Sequence, residues 1–407
     1  MRVGSGIFGI VALLVIAWAL SENRKLINLR IVGSAFLLQA ALATLAIYLP
    51  VGKDILAAMS SGVQNVIDYS GAGISFLFGD LATNKFGFLV FVRVLPVIIF
   101  VSALVSVLYY LRIMQWVVIL VGGAVHKIIG TSRVESMCAA ANIFLGHTES
   151  PLVIRPYINN LTEAQLFTIM VSGMASISGA ILAGYASLGV QLDYLIAASF
   201  MAAPGGLLMA KIMKPETNSD KNNVIDIAAV ENPDRASNVI EAAASGAASG
   251  LKLAAIIGAM LIAFVALIAM LNGMVGGLAA LAGFDGVTMD LILGKLLSPL
   301  MYLLGVPWED AAAAGNLIGQ KFILNEFVAY AHLQEIKETL TPHTVIVTTF
   351  ALCGFANLSS IAILLGGLGA LAPTRRPEIA RLGFKAVIAG FLSNLMSAAL
   401  VSVLLTF

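Results

Sequence analysis

Polar side chains that could bind a ligand are concentrated in one short stretch, residues 141–151. It carries an amide at Asn142, an imidazole at His147, a hydroxyl at Thr148 and a carboxylate at Glu149. The surrounding chain is 59% hydrophobic and only 11% charged. Inside a membrane, polar groups and interrupted backbone persist where they line a cavity or bind something. We therefore interpret this stretch as two short helices that meet at a backbone break and form a re-entrant hairpin.

A second polar region lies in the C-terminal half of the chain. Trp308–Leu333 contains Glu326, and the apolar segment Thr344–Leu371 is interrupted by the sequence GFANLSS at residues 354–360. An ionisable residue at membrane depth indicates a functional site. The carboxylates of Glu149 and Glu326 are therefore the leading candidates for ligand binding.

The two regions share a sequence pattern. Gly173–Ser178 and Gly354–Ser359 both read glycine, apolar, alanine, small polar, aliphatic, serine, each within an apolar span. Upstream, Asn142–His147 loosely matches Asn316–Gln320, and each copy then presents a carboxylate. Two matched elements in the same order predict an internal repeat of a hairpin followed by a broken helix. Such paired interruptions indicate a transporter site, because broken helix ends expose N–H groups for a substrate and carbonyls for Na⁺.

The composition indicates a membrane protein. A mean hydropathy of +0.97 over 407 residues is typical of an all-α polytopic membrane protein. The formal net charge of +1 gives no reason to expect nucleic acid or an acidic partner. Cys138 and Cys353 lie in apolar surroundings and are expected to be buried free thiols. Met1–Leu20 lacks a cleavage pattern, so we interpret it as a retained first span rather than a signal peptide.

Basic residues set the expected orientation of the chain. The short basic loop Glu22–Arg30 is expected in the cytoplasm, which places the N-terminus outside. The basic segment Pro373–Lys385 is likewise expected to be a cytoplasmic loop, and Val387–Phe407 the last span. Both termini outside require an even number of crossings, and eight fits the apolar segments. Lys321 has no evident partner in the sequence and is expected to reach the membrane interface.

The same features divide the chain into consecutive segments. Residues 53–69 combine apolar residues at helical spacing with charged ones and are expected to form an amphipathic interfacial helix. Ala242–Ala282 is rich in small residues, which suit close helix packing. The predicted segments are 1–84, N-terminal spans and interfacial helix; 85–130, scaffold span and short helix; 131–213, first hairpin, broken helix and following span; 214–241, polar loop; 242–306, long scaffold helix region; 307–371, second hairpin and broken helix; 372–407, cytoplasmic basic loop and last span.

The sequence gives little support for an enzyme. His147 and Glu149 imitate the H-x-E of zinc deaminases, but no P-C-x-x-C follows. The sequence also lacks the H-E-x-x-H motif of zinc proteases and the G-x-x-x-x-G-K-[ST] loop that binds ATP. The polar residues at membrane depth are varied rather than a repeated ring-forming signature, which argues against a channel. We therefore expect a carrier.

Three motifs resemble those of the concentrative nucleoside transporters. Residues 146–152, GHTESPL, followed by IRPY at 154–157, resemble the first hairpin motif of that family. Residues 325–330, NEFVAY, and 354–360, GFANLSS, resemble its second-hairpin and broken-helix motifs. The match covers most of residues 85–400, and the three motifs together are highly specific.

The resemblance implies both a fold and a mechanism. A member of this family would be a homotrimer in the inner membrane. Each protomer would have eight transmembrane helices, with two re-entrant hairpins and two broken helices in an inverted repeat. It would import nucleosides such as uridine together with a cation, through an elevator-like movement of a transport domain against a trimeric scaffold. No nucleic acid partner is expected.

The resemblance also assigns candidate residues to the nucleoside. The base-binding positions map onto His147, Thr148 and Glu149, with Ile181 near the base. The residues assigned to ribose, with an aromatic ring near the substrate, are Glu326, Asn357, Ser360 and Phe355. Carboxylate and amide groups can hold the ribose hydroxyls, while a hydroxyl, an imidazole and a carboxylate read the edge of a base.

For the coupling ion, the resemblance implies Na⁺ held by two side chains and backbone carbonyls. These positions map onto Asn142, Leu145, Ser176 and Ile177. Because these ligands are intact by type, Na⁺ is favoured over H⁺ as the coupling ion. A proton-coupled nucleoside symporter and an uncoupled, facilitative nucleoside pore are the alternatives.

One residue departs from the family pattern. The family usually has glutamine after the glycine, where this chain has His147. A neutral imidazole can also donate one hydrogen bond and accept another. It can in addition gain a proton near pH ~6.5 unless burial prevents this. The sequence therefore leaves the base preference and the pH dependence of transport open.

Overall fold

The computed structural model describes residues 2–83, 85, 87–217, 236–284 and 286–406. Within these ranges the chain is α-helical or 3₁₀-helical and contains no strand. Most of the predicted polar loop, 214–241, lies outside the described residues. Cys138 and Cys353 are buried free thiols, as predicted.

The helices of the N-terminal half precede the polar segment that begins at residue 214. They are α1 (Arg2–Ala19), α2 (Leu29–Ile47), α3 (Pro50–Phe78), α4 (Val90–Arg93), α5 (Leu95–Tyr110), α6 (Ile113–Ile129), α7 (Arg133–Ala141), a 3₁₀ helix (Ser150–Asn160), α8 (Glu163–Ala175), α9 (Gly179–Ser187) and α10 (Leu192–Met213). The predicted interfacial helix at residues 53–69 is part of the longer α3.

The helices of the C-terminal half follow that segment. They are α11 (Val239–Leu281), α12 (Met289–Leu303), α13 (Trp308–Ile323), α14 (Glu326–Ile336), α15 (Pro342–Leu352), α16 (Ser360–Leu371) and α17 (Arg376–Leu404). The expected loop Pro373–Lys385 is shorter than predicted, because α17 begins at Arg376. The basic side chains of that segment therefore lie mostly on a helix.

Burial separates the helices into an inner and an outer set. In the most apolar windows of α8–α9 and of α10, 94% of the residues are buried, against 11% for α11. Because α11 is apolar on its exposed faces too, it is suited to a lipid environment. It packs closely on α5: a Cβ at Gly250 would lie 2.8 Å from the Cα of Ile99. The inner helices carry the polar breaks described below.

Both helices that lead into a break have a capped N-terminus. Thr162 Oγ1 accepts a hydrogen bond from the backbone N–H of Gln165 at the start of α8 (3.2 Å). Thr341 Oγ1 accepts one from Thr344 at the start of α15 (3.3 Å). Such caps satisfy N–H groups that have no partner within the helix. The caps therefore fix the residues at which α8 and α15 begin, and each helix then runs into the interior toward its break.

The two basic segments predicted on the same side of the membrane meet at one end of the molecule. Glu22, in the loop after α1, accepts hydrogen bonds from Lys214 Nζ (2.6 Å) and Lys385 Nζ (2.9 Å). Burial alone would raise the pKa of Glu22, but the two ammonium groups hold it below its ordinary value. The folded protein therefore favours the ionised carboxylate.

We expect Glu22→Gln to lower the melting temperature at pH 7 by about 1–2 °C, because partly exposed ion pairs contribute roughly 0.2–1 kcal/mol. Since the pKa of Glu22 is lowered on folding, its contribution is present above the ordinary carboxyl pKa and is lost as the pH falls through the lowered value. Melting curves recorded at decreasing pH from pH 7 should show the difference between variant and wild type shrink as the pH falls below the ordinary carboxyl pKa. A difference of constant size, or the same effect in Glu335→Gln on the exposed face of α14, would contradict this assignment.

Candidate functional site

The first polar stretch folds as a hairpin with two unlike arms. Helix α7 is capped at its N-terminus by Ser132, whose hydroxyl and backbone exchange hydrogen bonds with Glu135, and Asn142 follows its last residue. After the tip, the returning arm is the 3₁₀ helix Ser150–Asn160 rather than an α-helix. Two prolines in that arm account for the difference, since proline removes a backbone donor. The tip itself, residues 142–149, therefore lies between two helix ends.

The hairpin tip packs directly against the break between α8 and α9. Residues 176–178 are not helical, and the N–H of Gly179 donates to the carbonyl of Phe144 in the tip (2.9 Å). A Cβ at Gly173 would lie 2.7 Å from the Cβ of His147 and 3.8 Å from Asn142 Oδ1. Only glycine allows this approach. The tip and the break thus form one unit.

Neutral oxygen atoms are gathered where the tip meets this break. Asn142 Oδ1 accepts a hydrogen bond from Ser150 Oγ (2.7 Å), which fixes its amide. Within the described residues, the carbonyl oxygens of Leu145 and Ile177 accept no hydrogen bond. Ser176 is 2% exposed, and its hydroxyl makes only a long contact of 3.5 Å with Gly173 O. Amide, hydroxyl and open carbonyl oxygens are ligands that suit a hard monovalent cation.

The second hairpin brings a carboxylate to the start of a helix. Helix α13 ends at Ile323, and Asn325 caps α14 by accepting a hydrogen bond from the N–H of Val328 (3.0 Å). Glu326 is the first residue of α14. The positive end of the helix dipole favours a negative charge at this position. The cap therefore fixes both the position and the electrostatic setting of Glu326.

The second break, between α15 and α16, orients one amide. Asn357 Oδ1 accepts hydrogen bonds from the Ser359 hydroxyl (2.7 Å) and from the Ser360 N–H (2.9 Å) and hydroxyl (3.0 Å). Its oxygen is therefore directed at the start of α16. The amide nitrogen is left to donate to Glu326 Oε2 at 2.9 Å.

Both oxygens of the Glu326 carboxylate have a donor. Oε1 accepts from the Tyr185 hydroxyl on α9 (2.8 Å), and Oε2 from Asn357. Glu326 is only 5% exposed. An ionised carboxylate can accept about four hydrogen bonds, so this one retains capacity for ligand hydroxyls. The group joins α9, α14 and the second break into one polar cluster.

An aromatic pair links the two breaks. The N–H of Phe355 donates to the carbonyl of Ser176 (3.1 Å), and the Phe355 ring meets the His147 ring at a centroid distance of 4.8 Å. His147 is 5% exposed, yet neither Nδ1 nor Nε2 has a hydrogen-bond partner. Unpaired buried polar groups are costly and rare in native proteins. The two ring nitrogens are therefore available to a ligand.

The remaining predicted residues differ in their surroundings. Thr148 is half-buried against α16, where a Cβ at Gly367 would lie 2.8 Å from its methyl group. Glu149 is exposed, and Ile181 is buried in the first turn of α9. The structure thus brings His147 to the break that also holds the ribose-assigned residues. It gives Glu149 and Ile181 no direct hydrogen bond to that cluster.

Sequence reasoning misplaced one polar residue and missed two others. The expectation that Lys321 reaches the membrane interface is wrong: the side chain is fully buried and donates to Ala351 O and Asn394 Oδ1, both at 2.8 Å. Its partners are distant in sequence, so no local pattern shows them. Asn394 and Tyr185 were also overlooked. Their polar groups within apolar helices were the available signal.

Comparison with known proteins identifies the family. Models described as the N-terminus and C-terminus of the Na⁺ dependent nucleoside transporter match residues 8–81 and 194–402. A model described as "Gate: Nucleoside recognition" matches residues 91–192, which include the first hairpin and break. The chain belongs to the Na⁺ dependent nucleoside transporter family. It is a nucleoside transporter, as the three motifs predicted, and not an enzyme.

Relatives and solved structures agree over nearly the whole chain. The nucleoside permease NupC of Helicobacter pylori is 48% identical over 96% of this chain and 95% of its own length. The rat sodium/nucleoside cotransporter 1 is 37% identical over 97% of this chain and 63% of its own length. CNTnw in an inward-facing, substrate-bound state has a TM-score of 0.94 at 50% identity, covering 100% of this chain and 98% of CNTnw. An outward-facing CNTnw variant has a TM-score of 0.96 at 49% identity, with the same two coverages. The predicted all-helical membrane transporter fold is confirmed.

We expect His147→Leu to weaken uridine binding roughly 10–100-fold, because one or two hydrogen bonds to the base are lost. The same change should not lower the melting temperature without nucleoside, since it removes two unpaired buried nitrogens. Titration calorimetry and melting curves on the purified protein measure both effects. His147→Gln is the matched control and should retain binding, since an amide also offers a donor and an acceptor. Unchanged uridine affinity in His147→Leu would remove His147 from the base site.

Proposed function

We propose that this protein is a sodium-coupled symporter that imports nucleosides across the inner membrane by elevator-type alternating access. The observation that carries the proposal is the buried cluster in which Tyr185 and Asn357 both donate to the Glu326 carboxylate. Phe355 lies in the same break as Asn357, and its ring contacts the imidazole of His147. Neither nitrogen of that imidazole has a hydrogen-bond partner among the described residues. The carboxylate can accept hydrogen bonds from the ribose hydroxyls, and the edge of the imidazole can bond to the base. The two groups therefore suit the two parts of a nucleoside.

The ribose would be held at the second hairpin and second break. Glu326 and Asn357 form a rigid acceptor and donor pair, and the Ser360 hydroxyl lies within 3.0 Å of Asn357. Charged hydrogen bonds to a diol contribute about 1.5–3 kcal/mol each. Ribose hydroxyls would therefore provide a large part of the binding energy, with Phe355 closing one side.

The base would lie toward the first hairpin tip. There His147 would supply a donor and an acceptor, with Thr148 and Glu149 reading the rest of the base edge and Ile181 covering it. The half-buried position of Thr148 and the exposure of Glu149 are consistent with a site that opens toward one side of the protein. These assignments follow from the family resemblance together with the geometry of the tip.

Na⁺ would be bound where the hairpin tip meets the first break. The ligands would be the side chains of Asn142 and Ser176 and the backbone at Leu145 and Ile177. The two open carbonyls support this placement. Because a nucleoside is neutral, each Na⁺ carried with it would move net positive charge inward, so transport would respond to membrane potential.

The architecture proposed for this function has eight transmembrane helices per protomer. Six helical segments of the described chain, two of them the consecutive pairs α4–α5 and α8–α9, are long and apolar enough to span a membrane. The apolar helix α1 and the broken pair α15–α16 would supply the other two. The two hairpins would be re-entrant and related by an inverted repeat, both termini would lie outside, and the protomers would form a homotrimer.

Uptake of labelled uridine into proteoliposomes tests the coupling. Accumulation above equilibrium with an inward Na⁺ gradient, and none without it, is the expected result. Accumulation driven by a pH gradient alone would identify a proton-coupled symporter instead. Equilibration without accumulation under either gradient would identify a facilitative pore. Imposing an inside-negative potential should accelerate the Na⁺-driven uptake.

A further inference from the structure

Lys321 is a buried cation whose surroundings form a complete site. Its ammonium group donates to the carbonyl of Ala351 and to Asn394 Oδ1, both at 2.8 Å. It also lies 5.7 Å from the centroid of the Phe391 ring. A carbonyl, an amide oxygen and an aromatic face are all groups that stabilise a positive charge. The side chain is 0% exposed, so no water replaces these contacts.

Asn394 connects this cation to both broken helices. Its Nδ2 donates to Ala175 O at the end of α8 (2.6 Å) and to Cys353 O at the end of α15 (2.8 Å). A Cβ at Gly354 would lie 2.4 Å from Asn394 Oδ1, so the backbone must be glycine there. The carbonyls at a helix C-terminus carry partial negative charge and lack partners within the helix. Lys321 and Asn394 together satisfy these carbonyls where the two breaks cross.

The charge of Lys321 also requires compensation. Within the part of the chain that the structure describes, no carboxylate oxygen lies within 4.0 Å of its Nζ. Glu326 is a carboxylate five residues further along the chain, at the start of α14, whereas Lys321 lies near the end of α13. Glu326 is itself buried, with only the neutral donors Tyr185 and Asn357 in direct contact. Two buried ionisable groups of opposite sign, neither with a direct ion pair in the described chain, thus flank the same hairpin tip.

We propose that Lys321 is an internal cation and a positioning residue of the transport site. It balances the charge of Glu326 and, through Asn394, holds the ends of α8 and α15 in the arrangement that places Glu326 and Asn357 together. The ion pair is separated rather than direct, which leaves the Glu326 oxygens free to accept ligand hydroxyls. The proposal rests on the proposed function only in naming Glu326 as a ribose ligand.

A double-mutant cycle without nucleoside separates charge compensation from simple helix capping. We expect Lys321→Met to lower the melting temperature by roughly 5–10 °C, because an unpaired buried charge is strongly destabilising. Adding Glu326→Gln should recover at least half of that loss, since the double variant buries no charge. If Lys321 only caps carbonyls, the two single shifts will add, and that outcome overturns the proposal.

Asn394→Leu is the matched control for the cycle. It removes the donor to Ala175 O and Cys353 O and one of the two acceptors of Lys321, but it leaves both charges in place. The changes in melting temperature caused by Asn394→Leu and by Glu326→Gln should add. Glu326→Gln should therefore restore the melting temperature of Lys321→Met but not that of Asn394→Leu. Equal recovery of both variants would overturn the charge assignment.

The cycle remains decisive if Lys321→Met alone does not fold. The double variant Lys321→Met with Glu326→Gln should then be recovered as a monodisperse protein. Failure of the double variant, while Glu326→Gln alone is recovered, would refute the proposal. Because the measurements are made without nucleoside or an ion gradient, they do not depend on whether the protein is a sodium symporter.

Discussion

Glu326→Gln is expected to reduce uridine uptake at least ~100-fold, to the background of empty liposomes. The carboxylate accepts from Tyr185 and Asn357 and has acceptor capacity left for the ribose. Glutamine is uncharged and replaces one acceptor oxygen by an NH₂ group, which cannot accept a hydrogen bond from a ribose hydroxyl. Two hydrogen bonds to a charged group contribute about 3–6 kcal/mol together, and a factor of ten in affinity is ~1.4 kcal/mol.

The measurement is uptake of labelled uridine by proteoliposomes under an inward Na⁺ gradient. Size-exclusion elution of the variant should match the wild type, because glutamine keeps the volume of the side chain. Glu335→Gln is the matched control: it makes the same change on the same helix, at an exposed position. Normal uptake by Glu326→Gln would remove the ribose assignment. Equal loss in Glu335→Gln would point to a general effect on α14.

The sequence predicted the polar breaks because they contrast with an apolar background. Between Ala175 and Gly179, and between Leu352 and Ser360, small and polar residues interrupt otherwise apolar helices. In a membrane such interruptions are tolerated only where protein groups satisfy the backbone. Composition therefore predicted where the two helix breaks lie. The motif resemblance then supplied the family, which the comparisons show.

The contacts that complete the site could not be predicted in the same way. Lys321 bonds to Ala351 and Asn394, which are 30 and 73 residues away in sequence. A single lysine near a helix end is more often an interfacial residue, so its local sequence indicated the wrong environment. The hydrogen bond of Tyr185 could not be predicted for the same reason, since its partner Glu326 is 141 residues away. Long-range pairs of this kind follow from the crossing of the breaks, which one sequence does not encode locally.

The crossing of the breaks gives a physical link between the ion and the nucleoside. The carbonyl of Ser176, within the proposed Na⁺ site, accepts the N–H of Phe355, whose ring contacts His147. The hairpin tip that carries Asn142 also carries His147. A cation that orders this tip would therefore order groups on both sides of the nucleoside. Binding energy shared in this way makes the affinity for each ligand depend on the other.

Asn142→Leu is expected to raise the Na⁺ concentration needed for half-maximal uridine binding by roughly 10–100-fold. Leucine has a similar volume but no oxygen, so the ion loses one ligand of about 1.5–3 kcal/mol. Uridine affinity at saturating Na⁺ should change much less, because the groups that contact the nucleoside remain. Titration calorimetry with uridine at a series of Na⁺ concentrations, with choline replacing Na⁺, measures both quantities.

Two further variants show whether the effect of Asn142→Leu comes from ion ligation. Ser150→Ala removes the hydrogen bond that holds Asn142 Oδ1 but keeps the ligand, so its shift should stay below about 3-fold. Asn159→Leu makes the same substitution at an exposed position at the far end of the 3₁₀ arm, and should leave the Na⁺ dependence unchanged. An unaltered half-maximal Na⁺ concentration in Asn142→Leu would exclude Asn142 from the ion site. A loss of uridine affinity that saturating Na⁺ does not restore would instead assign Asn142 to the fold of the hairpin tip.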